Sequence, residues 1–351
     1  MLPLVITLPA FLVAPANARV RVQCGVPRIL LPALLASTLL ACGSDDTTAV
    51  DARPDDAAAV DASPDAAAVD ASPDAAPDAP VDAGATLATF TYVTSSLRTP
   101  GTAAEAAMLG LDVDGLAGDA NGGIDNQLGA LLGGLLEFEP RFDFNAANAA
   151  AVDRGEILLL ARLGATDPIA PGPATLTFDV GASPMPAACA SPADTACRRH
   201  LDGAGSVALA TGVTPGTPLM GDLVGARFSG DGGTYVLPMT FGVGGPVVQM
   251  PVVMGISEVG ASADGLVAGK LAGALRQTDV EAIMHPALYA TFTAIAARDC
   301  LAPRPPPTCG CPFGSTGASA LAFFDVDTPR DCQISQHEVS STVDRVLPPD
   351  I

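Results

Sequence analysis

Past residue 85 the chain alternates between two hydrophobic periods. Residues 86–95 alternate apolar with polar and are rich in Thr, Phe, Tyr and Val, which predicts a strand. Leu128, Leu131, Leu132, Leu135 and Leu136 fall at i, i+3, i+4, i+7 and i+8, the stripe of a helix with one apolar face. A second helix is expected over 145–154, stopping at Gly155, and 156–163 reads as a buried strand. The pattern is then mostly that of strands: 174–180, 207–211, 222–228 and 234–241, the last two flanking Ser229-Gly-Asp-Gly-Gly233 as a hairpin. Strands over 247–258 and 266–275 extend the same sheet, and Pro251 assigns its strand to an edge or a bulge. Thr278-Asp-Val-Glu281 has the spacing of a capping box opening a helical stretch that Pro286 interrupts, and 335–347 is a last helix. Strands in series with helices on either side predict an α+β domain, mainly antiparallel β-sheet or sandwich with flanking helices.

Before residue 85 neither period holds. Arg28, the apolar run 29–40 and Leu39-Leu40-Ala41-Cys42 resemble a bacterial lipoprotein signal, in which the cysteine is acylated and becomes the first residue. The run is shorter than the roughly 20 residues of a spanning helix. The resemblance implies a leader and signal peptide over 1–41, export, and a lipid anchor on Cys42 that holds the protein to a membrane. Gly43 and Ser44, rather than Asp, follow the cysteine, which implies the outer membrane. Residues 1–25 sit awkwardly ahead of this signal. A translation start near Val26 accounts for them most simply, and a long atypical leader is the alternative.

From Gly43 to Gly84 there are eleven Asp and one Arg, and Ala59-Val-Asp-Ala-Ser-Pro-Asp-Ala-Ala67 repeats at Ala68–Ala76. Recurrent Pro, like charges and no side chain larger than Val to bury predict a disordered tether over 42–84, with a single folded domain over 85–351. The whole chain has 38 acidic against 17 basic residues, a net charge of −21. That balance argues against nucleic acid, whose binding needs Lys and Arg on phosphates. The absence of Trp argues against a stacked-ring carbohydrate platform.

Apart from Cys24 and Cys42 there are six cysteines, an even number that in an exported chain predicts disulfides. Cys189 and Cys197 close a short loop and are expected to pair. Cys300, Cys309, Cys311 and Cys332 allow three pairings. The strained geometry of a Cys309–Cys311 bond leaves Cys332 tied to the 300–311 segment, so that 300–351 is cystine-linked. A four-cysteine zinc site is the rival reading.

Two acidic loops are the candidates for chemistry. Asp112, Asp114, Asp119, Asn121 and Asp125 lie in a Gly-rich stretch that can curl hard oxygen donors round Ca²⁺. Counting back from Glu338 as a twelfth position, Asp327, Asp331 and Ser335 fall at positions 1, 5 and 9, a register that resembles an EF-hand or dockerin-type loop. It departs from that pattern at Pro329 and at Cys332, which stands where the turn glycine belongs. No G-x-S-x-G or phosphate-loop motif occurs, and His200, His285 and His337 show no zinc-pair spacing, so each is read as a surface or packing residue. Together the lipobox, the Asp/Ala/Pro tether and the acidic loops resemble an uncharacterised family of lipoproteins of the myxobacterial type, which implies no activity. The expected function is a lipid-anchored, tethered envelope protein: a non-enzymatic, calcium-stabilised binding or structural module with an unidentified envelope or extracellular ligand. The alternative is a tethered hydrolase using carboxylates such as Asp112 or Asp125 with Glu338 as acid and base.

Overall fold

The computed structural model describes residues 2–13, 87–113, 126–191, 193–194, 197–202, 205–262, 265–301 and 305–346. Residues 42–84, expected to form the tether, lie outside the described residues, as does Cys42 itself.

Nine strands form one antiparallel sheet: β1 (Leu2–Val13), β2 (Ala88–Thr94), β3 (Leu159–Ala165), β4 (Gly172–Met185), β5 (Ser206–Leu209), β6 (Leu219–Val224), β7 (Arg227–Thr240), β8 (Val247–Ser262) and β9 (Gly265–Leu275). Their hydrogen-bonded order is β3-β2-β1-β9-β8-β7-β6-β4-β5, and β3 pairs with β4 as well, so the pairings return on themselves as a barrel-like ring of eight strands with β5 on its rim. Closing the sheet removes most of the open edges on which other chains could add. This bears out the α+β class, antiparallel and flanked by helices.

The ring closes through an unexpected segment. Leu2–Val13, which the sequence reading placed ahead of the domain, pairs along β9 from Leu2↔Leu275 to Ala10↔Val267 and meets β2 at Phe11↔Thr94 to Val13↔Tyr92. Without it the ring would stand open between β2 and β9.

The Gly-rich stretch 229–233 is also used differently from the hairpin loop expected there. The β6–β7 turn is made at Gly225-Ala226, both at positive φ (56° and 59°), the conformation of a tight hairpin turn. β7 then runs on through Ser229–Gly233, with register shifts opposite β8. Glycine is needed inside this strand because a Cβ on Gly230 would meet the Phe228 ring at 2.5 Å and the Met220 carbonyl oxygen at 2.7 Å. Pro251 pairs with Val236 of β7, just beyond the point where the β8–β9 register ends at Val253, so its missing N–H breaks no ladder on that side.

The helices cluster together. α1 (Ala103–Leu109) packs on α2 (Gln127–Phe138), whose Leu128, Leu131, Leu132 and Leu135 are buried as the periodicity predicts. Asn126 caps α2, its Oδ1 accepting from the Gly129 amide at 3.1 Å. α3 (Phe144–Asp153) is clamped to β7 by Asn148, which accepts from the Thr240 amide at 3.0 Å and donates to its carbonyl at 3.1 Å. α4 (Gln277–Asp279) leads through a π-helical turn (Val280–Met284) into α5 (His285–Asp299), and α6 (Thr316–Phe324) and α7 (Gln336–Val346) pack on α5. The capping box expected at Thr278 does not form, since Arg276 is the N-cap and no side chain bonds there; Pro286 sits directly after the π-helical turn, so its missing N–H falls within a continuous run of helical backbone. A file of rings joins these helices: Phe142 to Phe292 (5.0 Å between centroids), Phe292 to Phe324 (4.4 Å), Phe324 to Phe323 (4.9 Å) and Phe323 to Phe138 (5.3 Å). No helix among the described residues is long and apolar enough to cross a membrane.

Candidate functional site: a cystine-bound cleft

Three disulfides are present: Cys189–Cys197, Cys300–Cys311 and Cys309–Cys332. The first is the pairing expected from its short loop, and Cys332 is tied to the 300–311 segment as predicted. Cys300–Cys311 closes the connection between α5 and α6 on itself, and Cys309–Cys332 fastens that connection to the loop between α6 and α7. Cys309 and Cys332 are both at positive φ (53° and 64°), a conformation that costs an L-residue about 1–2 kcal/mol, so the covalent link holds a turn that glycine usually makes. Cys332 is the residue standing where a calcium loop has its glycine.

Beside this bond lies Asp325, at the C-terminal end of α6 and wholly buried. Its Oδ2 accepts from the Cys332 amide at 2.9 Å, while its Oδ1 has no hydrogen-bond partner. Burial pushes the carboxyl above the ordinary Asp range, and repulsion from Glu338 and Asp331 adds to the shift against the Cys332 N–H and Arg330. Asp325 and the sulfurs of Cys309 and Cys332 lie within 4.8 Å of one another. Metal binding would need thiolates, and these sulfurs are joined to each other.

Asp325 lines a cleft of about 470 Å³, with Phe138, Phe313, Pro312, Leu321 and Arg330 among the other walls. Phe313 is fully exposed and Phe138 half exposed, which is unusual for aromatic rings. The chain therefore presents an apolar opening, framed by two cystines, with a carboxylate oxygen lacking a donor beneath it.

The C-terminal loop is not folded round a common point. Asp327 is exposed, and Asp331 Oδ1 accepts from the Gln333 amide at 2.8 Å in a local turn. Ser335 and Glu338 form a capping box at the start of α7: Ser335 Oγ accepts from the Glu338 amide at 3.2 Å, and Glu338 Oε2 from the Ser335 amide at 2.7 Å. Glu338 Oε1 accepts from the Val326 amide at 3.0 Å, so each oxygen of the expected twelfth ligand accepts one backbone N–H.

Of the first loop, Asp112 is exposed, between Leu111 and Val113, which pack with Ala272 and Ala274 of β9. Asp114, Asp119, Asn121 and Asp125 lie outside the described residues. Sequence reasoning missed Asp325. Its only signal was a carboxylate directly after the apolar Phe323-Phe324.

No family model, no curated protein and no solved structure matches this chain.

Proposed function

We propose that this chain is a non-enzymatic binding module carried on a lipid tether at the cell envelope, and that its cystine-bound cleft takes an apolar ligand bearing a protonated amine. The observation that carries the reading is the wholly buried Oδ1 of Asp325, without a donor, in the wall of an apolar cleft. Leaving such an acceptor unmet costs about 1–3 kcal/mol, and a ligand N–H supplies the missing bond once the side chains covering Oδ1 move aside. Glu338 and Asp331 near Asp325 favour a cation over an anion, against the opposing charge of Arg330 in the cleft wall, and the rings of Phe138 and Phe313 suit an apolar body. Three cystines fit the oxidising compartment to which the lipobox at Cys42 directs the chain. Ca²⁺ in the loop that opens at Asp112 is part of the same proposal, supported by its donor types alone.

The test is titration with dansylcadaverine, an apolar fluorophore on a primary amine. Saturable enhancement is expected, with affinity at least tenfold weaker in Asp325→Asn and in Phe313→Ala, the second a surface change that leaves the core intact. No saturable binding, or equal binding by both variants, would sink the idea.

A further inference from the structure

β1 holds its place in the ring by main-chain pairing along nearly its whole length. It runs antiparallel to β9 from Leu2↔Leu275 to Ala10↔Val267, then meets β2 at Phe11↔Thr94 to Val13↔Tyr92, so one strand serves two edges in turn. Among the described residues β2 pairs otherwise only with β3, and β9 only with β8. The place between them is a slot one strand wide, edged by backbone donors and acceptors. It is also walled: α1 and α2 pack against β1, and Leu111 and Val113 pack with Ala272 and Ala274 of β9.

The register shows what kind of strand the slot accepts. Residues 2–13 carry no charge, and their one polar side chain, Thr7, stands in register with Lys270, the one charged residue of β9. Main-chain hydrogen bonds supply the affinity in such an arrangement, and any extended segment can make them. Acylation at Cys42 would place residues 2–13 ahead of the cleavage point, and an emptied slot leaves two strand edges without partners.

On the proposed reading of Cys42 as the anchored first residue, we propose that the slot between β2 and β9 of the anchored molecule binds an extended, uncharged, apolar strand of another envelope protein, antiparallel to β9. A second copy lacking residues 2–13 has no such strand to give among its described residues. It brings strands already paired on both sides, the edges of β2 and β9 themselves, and β5, which has only four residues. The slot is separate from the cleft at Asp325, which no residue of β2 or β9 lines.

The experiment starts from the unprocessed full chain with a specific protease site inserted after Ala18, cut only after folding, so that the domain is never made without its strand. The probe is a fluorescent synthetic peptide of residues 2–13. Its control carries Val5→Pro and Ile6→Pro, because adjacent N–H groups point to opposite edges and the pair of changes removes one aimed at β9. Retention of the cut segment through gel filtration, or its replacement by one probe peptide per chain at least tenfold tighter than the control, is expected. The proposal is overturned if the cut segment leaves and the probe is not taken up, if probe and control bind alike, or if the cut chain self-associates and the probe does not reverse it. Intact mass of the membrane-bound protein tests the reading on which the proposal rests. A mass that includes residues 2–13 overturns it at the anchor, whereas a mass that lacks them, with no probe taken up by the cut chain, overturns it at the slot.

Discussion

Glu338 separates two uses of one carboxylate. As the twelfth residue of a calcium loop it would grip an ion; as the third residue of α7 it satisfies the amides of Ser335 and Val326. Both roles place Glu at the start of a helix after an acidic turn, so spacing alone reads equally well either way, and the hydrogen bonds show the capping role. Glu338→Ala should therefore cost about 1–2 kcal/mol through lost capping. Urea denaturation with and without Ca²⁺ should give the same loss, and a loss seen only with Ca²⁺ would restore the ligand role. Asp325 behaves in the opposite sense. Its folded-state pKa is raised, so above about pH 4, where the unfolded chain releases that proton, the folded state is held back and stability falls as pH rises through the folded value. Asp325→Asn should melt no lower than wild type at pH 7, and the gap between the two should close on acidification, as thermal scans across pH 3–7 would reveal. A stabilised variant that also loses the amine probe would mark a residue kept for binding rather than for folding.

At the level of elements, the apolar stripe of α2 was legible because it is a local period with one buried face, and β2 and β4 were legible from the alternation of their side-chain types, although Tyr92–Thr94 and Leu176–Val180 are buried on both faces. The β6–β7 turn was not. Three glycines within Ser229–Gly233 are the stronger turn signal, but Gly225-Ala226 makes the turn, while Gly230 is small because Phe228 and Met220 crowd it. The largest difference is β1, whose apolar residues read as a leader when no partner is in view and as a stave once β9 is in place. Removing residues 2–13 should cost on the order of 5 kcal/mol, from eight paired positions along β9 at roughly 0.5–1 kcal/mol each. It should also promote association through the edge it uncovers. Chemical denaturation and light scattering of the truncated chain would check both, and an unchanged midpoint would show that β1 contributes nothing to the ring.

For the whole molecule, the proposed anchoring and ring closure would draw on the same residues. Signal cleavage ahead of Cys42 would remove Leu2–Val13, so a molecule anchored in the way proposed would carry the ring open between β2 and β9. Cys42→Ala should abolish lipid labelling and move the protein out of the membrane fraction, and intact mass should show whether residues 2–13 accompany each pool. Continued partition of the variant with membranes would remove the anchor from the account. The order of synthesis gives these two fates a clock. β1 and β9 are about 250 residues apart, so at 5–20 residues per second β1 leaves the ribosome on the order of 10–50 s before its partner exists. Throughout that interval it is an apolar segment without its β9 partner, and on the proposed export reading the export machinery would have access to it uncontested by β9. The share of molecules that reach the envelope would then be set by a race rather than by affinity, and a translational pause ahead of Gly265 would tilt it toward export.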